Sequence, residues 1–377
     1  MRIALLTNFI PPYRLPLYSE MVNRCAAFRV FLSARTEAGR AWAPEWGELS
    51  VQLQRNLSFQ RKWKHPHEFA EPLTIHFPYD TLPQLFHFHP DVIVSCEMGM
   101  RTLQAAVYRR CFHATRLVIW ATLSEVTEQG RGRLRHHLRS SLLRIADAVI
   151  VNGESGARYV QRFGVESDRL FFVPYTTDLD PFLSLQAVRN SGVRRRLLYS
   201  GALTERKGIV PFLVHLADWA EHHPDRSVEF YIAGDGPLRP ILAAFRAPPN
   251  LDLRLLGHVA YEHLPEVYGN AGILAFPTLA DEWGLVVTEA MASGIPVLGS
   301  CYSQAVEELV RDGESGWTYR PDDAQEVSNA LHRALETPLS KLNEMAESAR
   351  AKVRNLTPST MADRIMTAIE YALKARS

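Results

Sequence analysis

The chain has 377 residues, of which 46% are apolar and 22% charged, with a net charge of +1. The length predicts two cores with a cleft between them. The composition excludes a disordered, fibrous or membrane-spanning protein, and the near-neutral charge balance gives no reason to expect nucleic acid as a partner. Cys25, Cys96, Cys111 and Cys301 stand singly, without a CxxC pair, which fits a reducing, cytoplasmic compartment better than a disulfide framework.

Along the chain, short apolar runs alternate with helical patterns, the signature of parallel βαβ units. Met1–Phe9 reads as a first strand, because its apolar stretch is too short for a leader and lacks a small-residue cleavage site. Strands are predicted at Ile3–Leu6, Phe28–Leu32, Val92–Ser95, Leu117–Trp120 and Ala148–Val151, with helices such as Thr102–Arg110 and Leu134–Ile145 between them. Residues 174–196 carry two prolines and end in three arginines, and read as the connection between domains. A second series follows at Leu197–Ser200, Val228–Ala233, Leu253–Leu256, Ile273–Phe276, Pro296–Gly299 and Trp317–Tyr319, and a last helix begins after Thr357-Pro358. No repeat is visible. The predicted layout is a first domain over 1–178, a connection over 179–196, a second domain over 197–357 and a terminal helix over 358–377.

Ligands of open parallel sheets collect at the C-terminal ends of the strands. Four such loops in the second half carry chemistry. In Ser200-Gly201-Ala202-Leu203-Thr204-Glu205-Arg206-Lys207-Gly208 a glycine follows a strand and a basic pair precedes a helix, a pattern suited to an anion; a strand-to-helix turn with solvated charges is the alternative. Ala233-Gly234-Asp235-Gly236-Pro237-Leu238-Arg239 lacks the third glycine of a dinucleotide fingerprint, so a tight turn lining a pocket is the better reading. Gly257-His258-Val259 offers a place for a base or ribose, although a lone histidine is as readily structural. In the fourth loop, Asp281-Glu282-Trp283-Gly284-Leu285-Val286 runs from the Phe276 strand into a helix that carries Glu289. The N-terminus of that helix suits a diphosphate, with one carboxylate left for a ribose diol and another for sugar hydroxyls.

In combination these segments resemble the family 4 glycosyltransferases, retaining group 1 enzymes of the GT-B fold. The resemblance covers about 195–345 through Gly201-x5-Lys207-Gly208, Gly234-Asp235-Gly236-Pro237-Leu238, Leu264-Pro265-Glu266-Val267-Tyr268 and the stretch ending in Glu289-Ala290-Met291-Ala292-Ser293-Gly294. It is looser in the first half, through Pro12-Tyr13-Arg14 and Arg169–Asp180. It implies an α/β architecture of two Rossmann-like domains facing across a cleft, the first binding acceptor and the second nucleotide sugar, with the last helix crossing back to the first. It implies transfer with retention to a carbohydrate or lipid-linked acceptor, without metal or cofactor. Lys207, Asp281 and Glu289 would be the catalytic set. Gly201, Arg206, Lys207, Gly234, His258, Val259, Glu282, Trp283, Gly284, Leu285, Val286 and Glu289 would line the donor site.

The chain departs from the family at three places. Ala202 stands where the family places an arginine, and Arg206 is the candidate replacement. Asp281 is one methylene shorter than the family's glutamate, with Glu282 as a substitute. Trp120-Ala121-Thr122-Leu123-Ser124-Glu125 lacks the histidine that many members carry after the fourth strand, which leaves Glu125 or Glu97 near the acceptor. These departures keep open a partner subunit with weak turnover, and a nucleotide-sugar epimerase is a further alternative; a Rossmann dehydrogenase fits the broken glycine pattern poorly. Residues 131–144 hold five arginines and two histidines without an acid. With Leu134, Leu138, Leu142 and Ile145 at helical spacing they read as a core-facing helix with a solvated side, or as a peripheral contact with the inner face of the membrane. Trp42, Trp46, Trp63 and His65-Pro66-His67 form an irregular region available to an acceptor, with no metal site expected.

Overall fold

The computed structural model describes residues 1–36, 45–186 and 190–374. Its strands in chain order are β1 (Arg2–Thr7), β2 (Ala27–Leu32), β3 (Ser50–Leu53), β4 (Asn56–Lys64), β5 (Ala70–Pro78), β6 (Val92–Cys96), β7 (Arg116–Ala121), β8 (Ala148–Val151), β9 (Leu170–Phe172), β10 (Leu197–Ser200), β11 (Val228–Ala233), β12 (Leu251–Gly257), β13 (Ile273–Phe276), β14 (Val297–Ser300) and β15 (Gly316–Tyr319). Every strand expected from the sequence is present, with ends shifted by one or two residues. The chain divides into two units. Unit 1 comprises Met1–His65, Glu71–Asp178 and Leu356–Ser377; unit 2 comprises Pro66–Ala70 and Leu179–Asn355.

Unit 1 is built on a seven-stranded parallel sheet in the order β3-β2-β1-β6-β7-β8-β9. Its central strands are covered on both faces, so β6 and β8 are buried at every residue, β8 as an unbroken apolar run and β6 as one interrupted by Ser95. Leu6, Ile93, Ile119 and Val149 make the core with the helices that cross between strands. The helix Pro358–Lys374 completes this unit by burying Met361, Ala362, Ile365, Ala368, Ile369 and Ala372, a stripe at helical spacing. Arg24 Nε donates to Asp363 Oδ1 at 2.8 Å, and the Tyr371 hydroxyl to Asp168 Oδ2 at 2.9 Å.

Unit 2 has six parallel strands in the order β12-β11-β10-β13-β14-β15. Leu197, Phe230, Ile273 and Leu298 from the sheet meet Phe212, Leu216 and Leu331 from the helices. Residues 179–196, expected as a connection, belong to this unit and form the short helices Asp180–Leu183 and Ser191–Arg194. The arginine run read as part of the connection is anchored in the unit: Arg194 is fully buried, donating to Asn343 Oδ1 and to the Gly294 carbonyl, both at 3.0 Å.

Two further features escaped the sequence. The edge strands β3 and β9 are short and only partly buried, and β4 with β5 forms a separate two-stranded sheet in the region read as irregular. The basic helix, observed at Arg133–Ile145, does not bury the expected stripe. Leu134 is 85% exposed, while Leu142, Leu143 and Arg139 turn inward. Arg139 and Arg135 both pair with the buried Glu128 carboxylate, which rotates the inward face away from Leu134.

Candidate functional site

In unit 2 the strand order reverses at β10, which lies between β11 and β13. The loops leaving β10 and β13 therefore diverge from one crevice, the position where parallel sheets bind ligands. These loops are tied together. Leu279 N–H donates to the Arg206 carbonyl at 2.8 Å, and Thr278 Oγ1 to the same oxygen at 3.3 Å. The loop after β14 joins them: Asp281 N–H donates to the Tyr302 carbonyl at 3.1 Å, and Gln304 Nε2 to the Glu282 carbonyl at 2.6 Å.

The ledge carries a preformed ion pair. Lys207 Nζ donates to Asp281 Oδ2, and the ammonium stands 5.6 Å from the Phe276 ring centroid. Asp281 is 7% exposed. Burial pushes its carboxyl up, but Lys207 and Arg206 outweigh that and hold it below the ordinary aspartate value. Arg206 Nη1 donates to the Ala280 carbonyl at 3.1 Å and lies 3.7 Å from the half-exposed Glu282. The two cations thus sit side by side, Lys207 paired with Asp281 and Arg206 near Glu282.

Immediately beyond them the helix Leu285–Ala292 begins. Its cap, Gly284, has φ +108°, and a Cβ there would fall 2.9 Å from the Phe276 ring and 3.0 Å from Ser303 Oγ. Only glycine brings the backbone this close, so the first N–H groups of the helix, which lack intrahelical acceptors, lie at the crevice with Leu285 and Val286 half-buried. Trp283, expected among the donor contacts, has its indole in the core, where Nε1 donates to Thr288 Oγ1 at 3.3 Å. One turn into the helix, Glu289 is 3% exposed and accepts from the Tyr268 hydroxyl at 3.1 Å. Burial pushes its carboxyl up to about 7, against the pull of the Tyr268 bond. The sequence placed Tyr268 in a family motif but gave no sign that it meets Glu289, 21 residues away.

The neighbouring strand ends are stacked backbone to backbone. Gly201 N–H donates to the Ala233 carbonyl at 2.9 Å and Gly234 N–H to the Gly257 carbonyl at 2.7 Å. Gly234 has φ +148°, and a Cβ on it would fall 1.8 Å from the Gly201 carbonyl oxygen. The exposed His258 and half-buried Val259 follow on the same edge of the sheet.

These loops lie within residues 194–337, which match the family model described as Glycosyl transferases group 1. Alpha-D-kanosaminyltransferase of Streptomyces kanamyceticus is 30% identical to the chain over 41% of its length and 39% of that protein. D-inositol 3-phosphate glycosyltransferase of Nocardia farcinica is 26% identical over 60% of the chain and 53% of that protein. The chain thus spans about half or less of the length of these curated relatives. Likeness along the whole chain comes from solved structures. HepE of Anabaena in complex with UDP has a TM-score of 0.72 at 17% identity, covering 98% of this chain and 100% of that one. Sucrose-phosphate synthase of Thermosynechococcus elongatus has a TM-score of 0.71 at 17% identity over both full chains. At such identity the likeness is one of fold, that of a GT-B architecture.

Unit 1 places the remaining candidates apart. Glu125 pairs with Arg158 at 2.7 Å and with Arg162. Glu97, at φ +68°, accepts from Asn8 Nδ2 at 2.6 Å. His65 bonds the Val126 carbonyl at 2.8 Å, and Arg131 lies 3.4 Å from the Trp63 ring centroid. Trp42 falls outside the described residues. Among the described residues no group of three or more His, Cys, Asp or Glu is placed to hold a metal ion, and no helix is long and apolar enough to cross a membrane.

Proposed function

We propose that the chain is a retaining glycosyltransferase of the family 4 type that moves a sugar from a nucleoside-diphosphate sugar to a hydroxyl acceptor without a metal ion or cofactor. The observation that carries this reading is the convergence of Lys207, Arg206 and the Gly284 helix start on the switch point of the unit 2 sheet. Breaking the bond from the anomeric carbon to the diphosphate builds negative charge on the leaving oxygen. Two cations and a helix N-terminus held in place beforehand stabilise that charge without reorganising. Asp281, kept ionised by Lys207, positions the ammonium and is placed to bind the donor sugar, while Glu289 takes the ribose hydroxyls. UDP, present in the HepE complex, is the first nucleotide to try.

The acceptor is proposed to be a carbohydrate or a lipid-linked carbohydrate. Peripheral membrane contact, if the acceptor is lipid-linked, falls to the exposed Arg133, Leu134, His137 and Arg144 of the basic helix. The test of the main reading is a panel of nucleoside diphosphates scored by thermal stabilisation, followed by release of the matching diphosphate from its sugar donors. Saturating binding raises stability by about 2.7 kcal/mol at one hundred times the Kd. Stabilisation by one diphosphate, and slow donor hydrolysis that disappears in Lys207→Ala, are expected. Stabilisation by NAD(H) with no response to any diphosphate overturns the reading.

A further inference from the structure

Unit 1 has a switch point of its own, at β1, which lies between β2 and β6. The segments leaving these three strands bring two buried arginines to the C-terminal edge of the sheet. Arg101 is engaged: Nη1 donates to Ser33 Oγ at 2.8 Å, Nη2 to Asn8 Oδ1 at 2.6 Å, and the Glu97 carboxylate lies 3.7 Å away.

Arg14, on the single turn Pro12–Arg14 that follows β1, is held differently. It is 5% exposed, with its guanidinium carbon 3.8 Å from the Tyr175 ring centroid and 4.7 Å from that of Trp120. Among the described residues its Nη1 has no hydrogen-bond acceptor and no carboxylate pairs with it. The titratable groups that face it are Tyr175, Tyr18, Tyr13 and Cys96, and none supplies an anion at neutral pH: burial pushes the Cys96 thiol up to about 11 and raises the Tyr18 phenol as well. Other arginines buried as deeply each reach oxygen through at least one nitrogen, Arg139 at Glu128 and Tyr159 although its Nε is left unpartnered, and Arg194 at Asn343 and the Gly294 carbonyl. Ring faces attract a guanidinium but do not replace the acceptors its N–H groups lost on leaving water. A buried cation without a counter-ion is costly to keep, and here it is kept beside a ligand-binding position of the fold.

We propose that Arg14 is the anion-recognition residue of a sugar subsite in unit 1, and that the acceptor is a carbohydrate bearing a carboxylate or a phosphate. A guanidinium meets either oxyanion with paired hydrogen bonds. The half-buried rings of Tyr13 and Tyr175, with centroids 6.3 Å apart and planes 35° from parallel, supply apolar faces beside the charge for the sugar ring. Naming the sugar as an acceptor rests on the glycosyl-transfer reading; the anion site does not.

Equilibrium binding of the full chain to glucuronate, glucose 6-phosphate and glucose, without nucleotide, tests this inference. One of the anionic sugars is expected to bind about tenfold or more tightly than glucose, and which of the two does so distinguishes carboxylate from phosphate. Arg14→Met, which keeps the stem and loses the charge, removes that preference, and Arg14→Lys restores part of it. Should Arg14→Met fail to fold, the wild-type preference decides, and it must weaken as potassium chloride is raised. Equal affinity for the three sugars, or a preference that survives in folded Arg14→Met, overturns the inference. Failure of the transfer reading shows separately, as a lack of response to every nucleoside diphosphate in the same preparation.

Discussion

Replacing Glu289 by Gln separates the stability of unit 2 from its hold on a nucleotide. Burial places the Glu289 carboxyl at about 7 against an ordinary 4.5, so between those values the folded protein keeps a proton that the unfolded chain has released. Stability is therefore greatest below 4.5 and falls as the pH rises towards 7, above which a carboxylate only 3% exposed has to be accommodated. The difference corresponds to roughly 3 kcal/mol. Glutamine retains an oxygen for the Tyr268 hydroxyl and buries no charge. The variant should match the wild type at pH 5 and exceed it at pH 8 by up to about 3 kcal/mol, or roughly 6–12 °C in the melting midpoint of a unit of this size. Nucleotide affinity should fall in the same variant, because an amide offers a ribose diol one accepting oxygen where a carboxylate offers two. Scanning calorimetry at pH 5, 6, 7 and 8, with and without UDP, measures both effects. Melting curves that keep a constant separation across this range would refute the buried-carboxyl argument.

Ribose hydroxyls that donate to Glu289 stabilise its ionised form, so wild-type affinity for the nucleoside diphosphate should rise from pH 6 to pH 8. Titration in buffers of different ionisation heat should detect proton release on binding, and an affinity indifferent to pH counts against the ribose contact. Lys207→Ala should slow nucleoside-diphosphate release about 10²- to 10³-fold, the usual cost of deleting one preorganised charge-stabilising group; a change below threefold removes Lys207 from the reaction. Arg206→Ala leaving donor turnover intact would show that Arg206 does not stand in for the arginine absent at Ala202. In Gly234→Ala the added methyl meets the Gly201 carbonyl at 1.8 Å, so the stacked loops must part and stabilisation by nucleotide should be lost. Leu134→Ser should weaken co-sedimentation with anionic vesicles if the basic helix docks there, and binding unaffected by anionic lipid or salt argues against that docking.

The legible part of this molecule is the part whose physics is local. Strands covered on both faces, such as β8 and β13, are continuous apolar runs, as is β6 but for Ser95, and they lie within a residue of their expected bounds. The Arg206-Lys207-Gly208 turn and the Gly284 helix start show their chemistry in consecutive residues. What stayed hidden depends on neighbours distant in sequence. In β4, Asn-Leu-Ser-Phe-Gln-Arg-Lys-Trp-Lys lies largely exposed, so nothing forces the apolar alternation that announces a strand. Trp283 is expected at the donor site from its place in the loop, but Thr288 and the surrounding core enclose its indole. Arg139 reads as part of a solvated helix side and Arg194 as part of a connection because their acceptors, Glu128 and Asn343, lie elsewhere in the chain. Pro12-Tyr13-Arg14 carried only a loose resemblance, since the isolation of Arg14 is set by Trp120 and Tyr175, more than 100 residues downstream.

The helix Pro358–Lys374 gives the polypeptide an order of assembly. Every segment of the seven-stranded unit except this one is synthesised before the main stretch of the six-stranded unit, Leu179–Asn355, begins. A nascent chain that has passed Asn355 can close its later-made half while the earlier-made half still shows the ribosome an uncovered apolar flank. Maturation therefore runs from the middle outwards. Proteolytic trimming of the final seventeen residues of helix should loosen the half made first and spare the one made second.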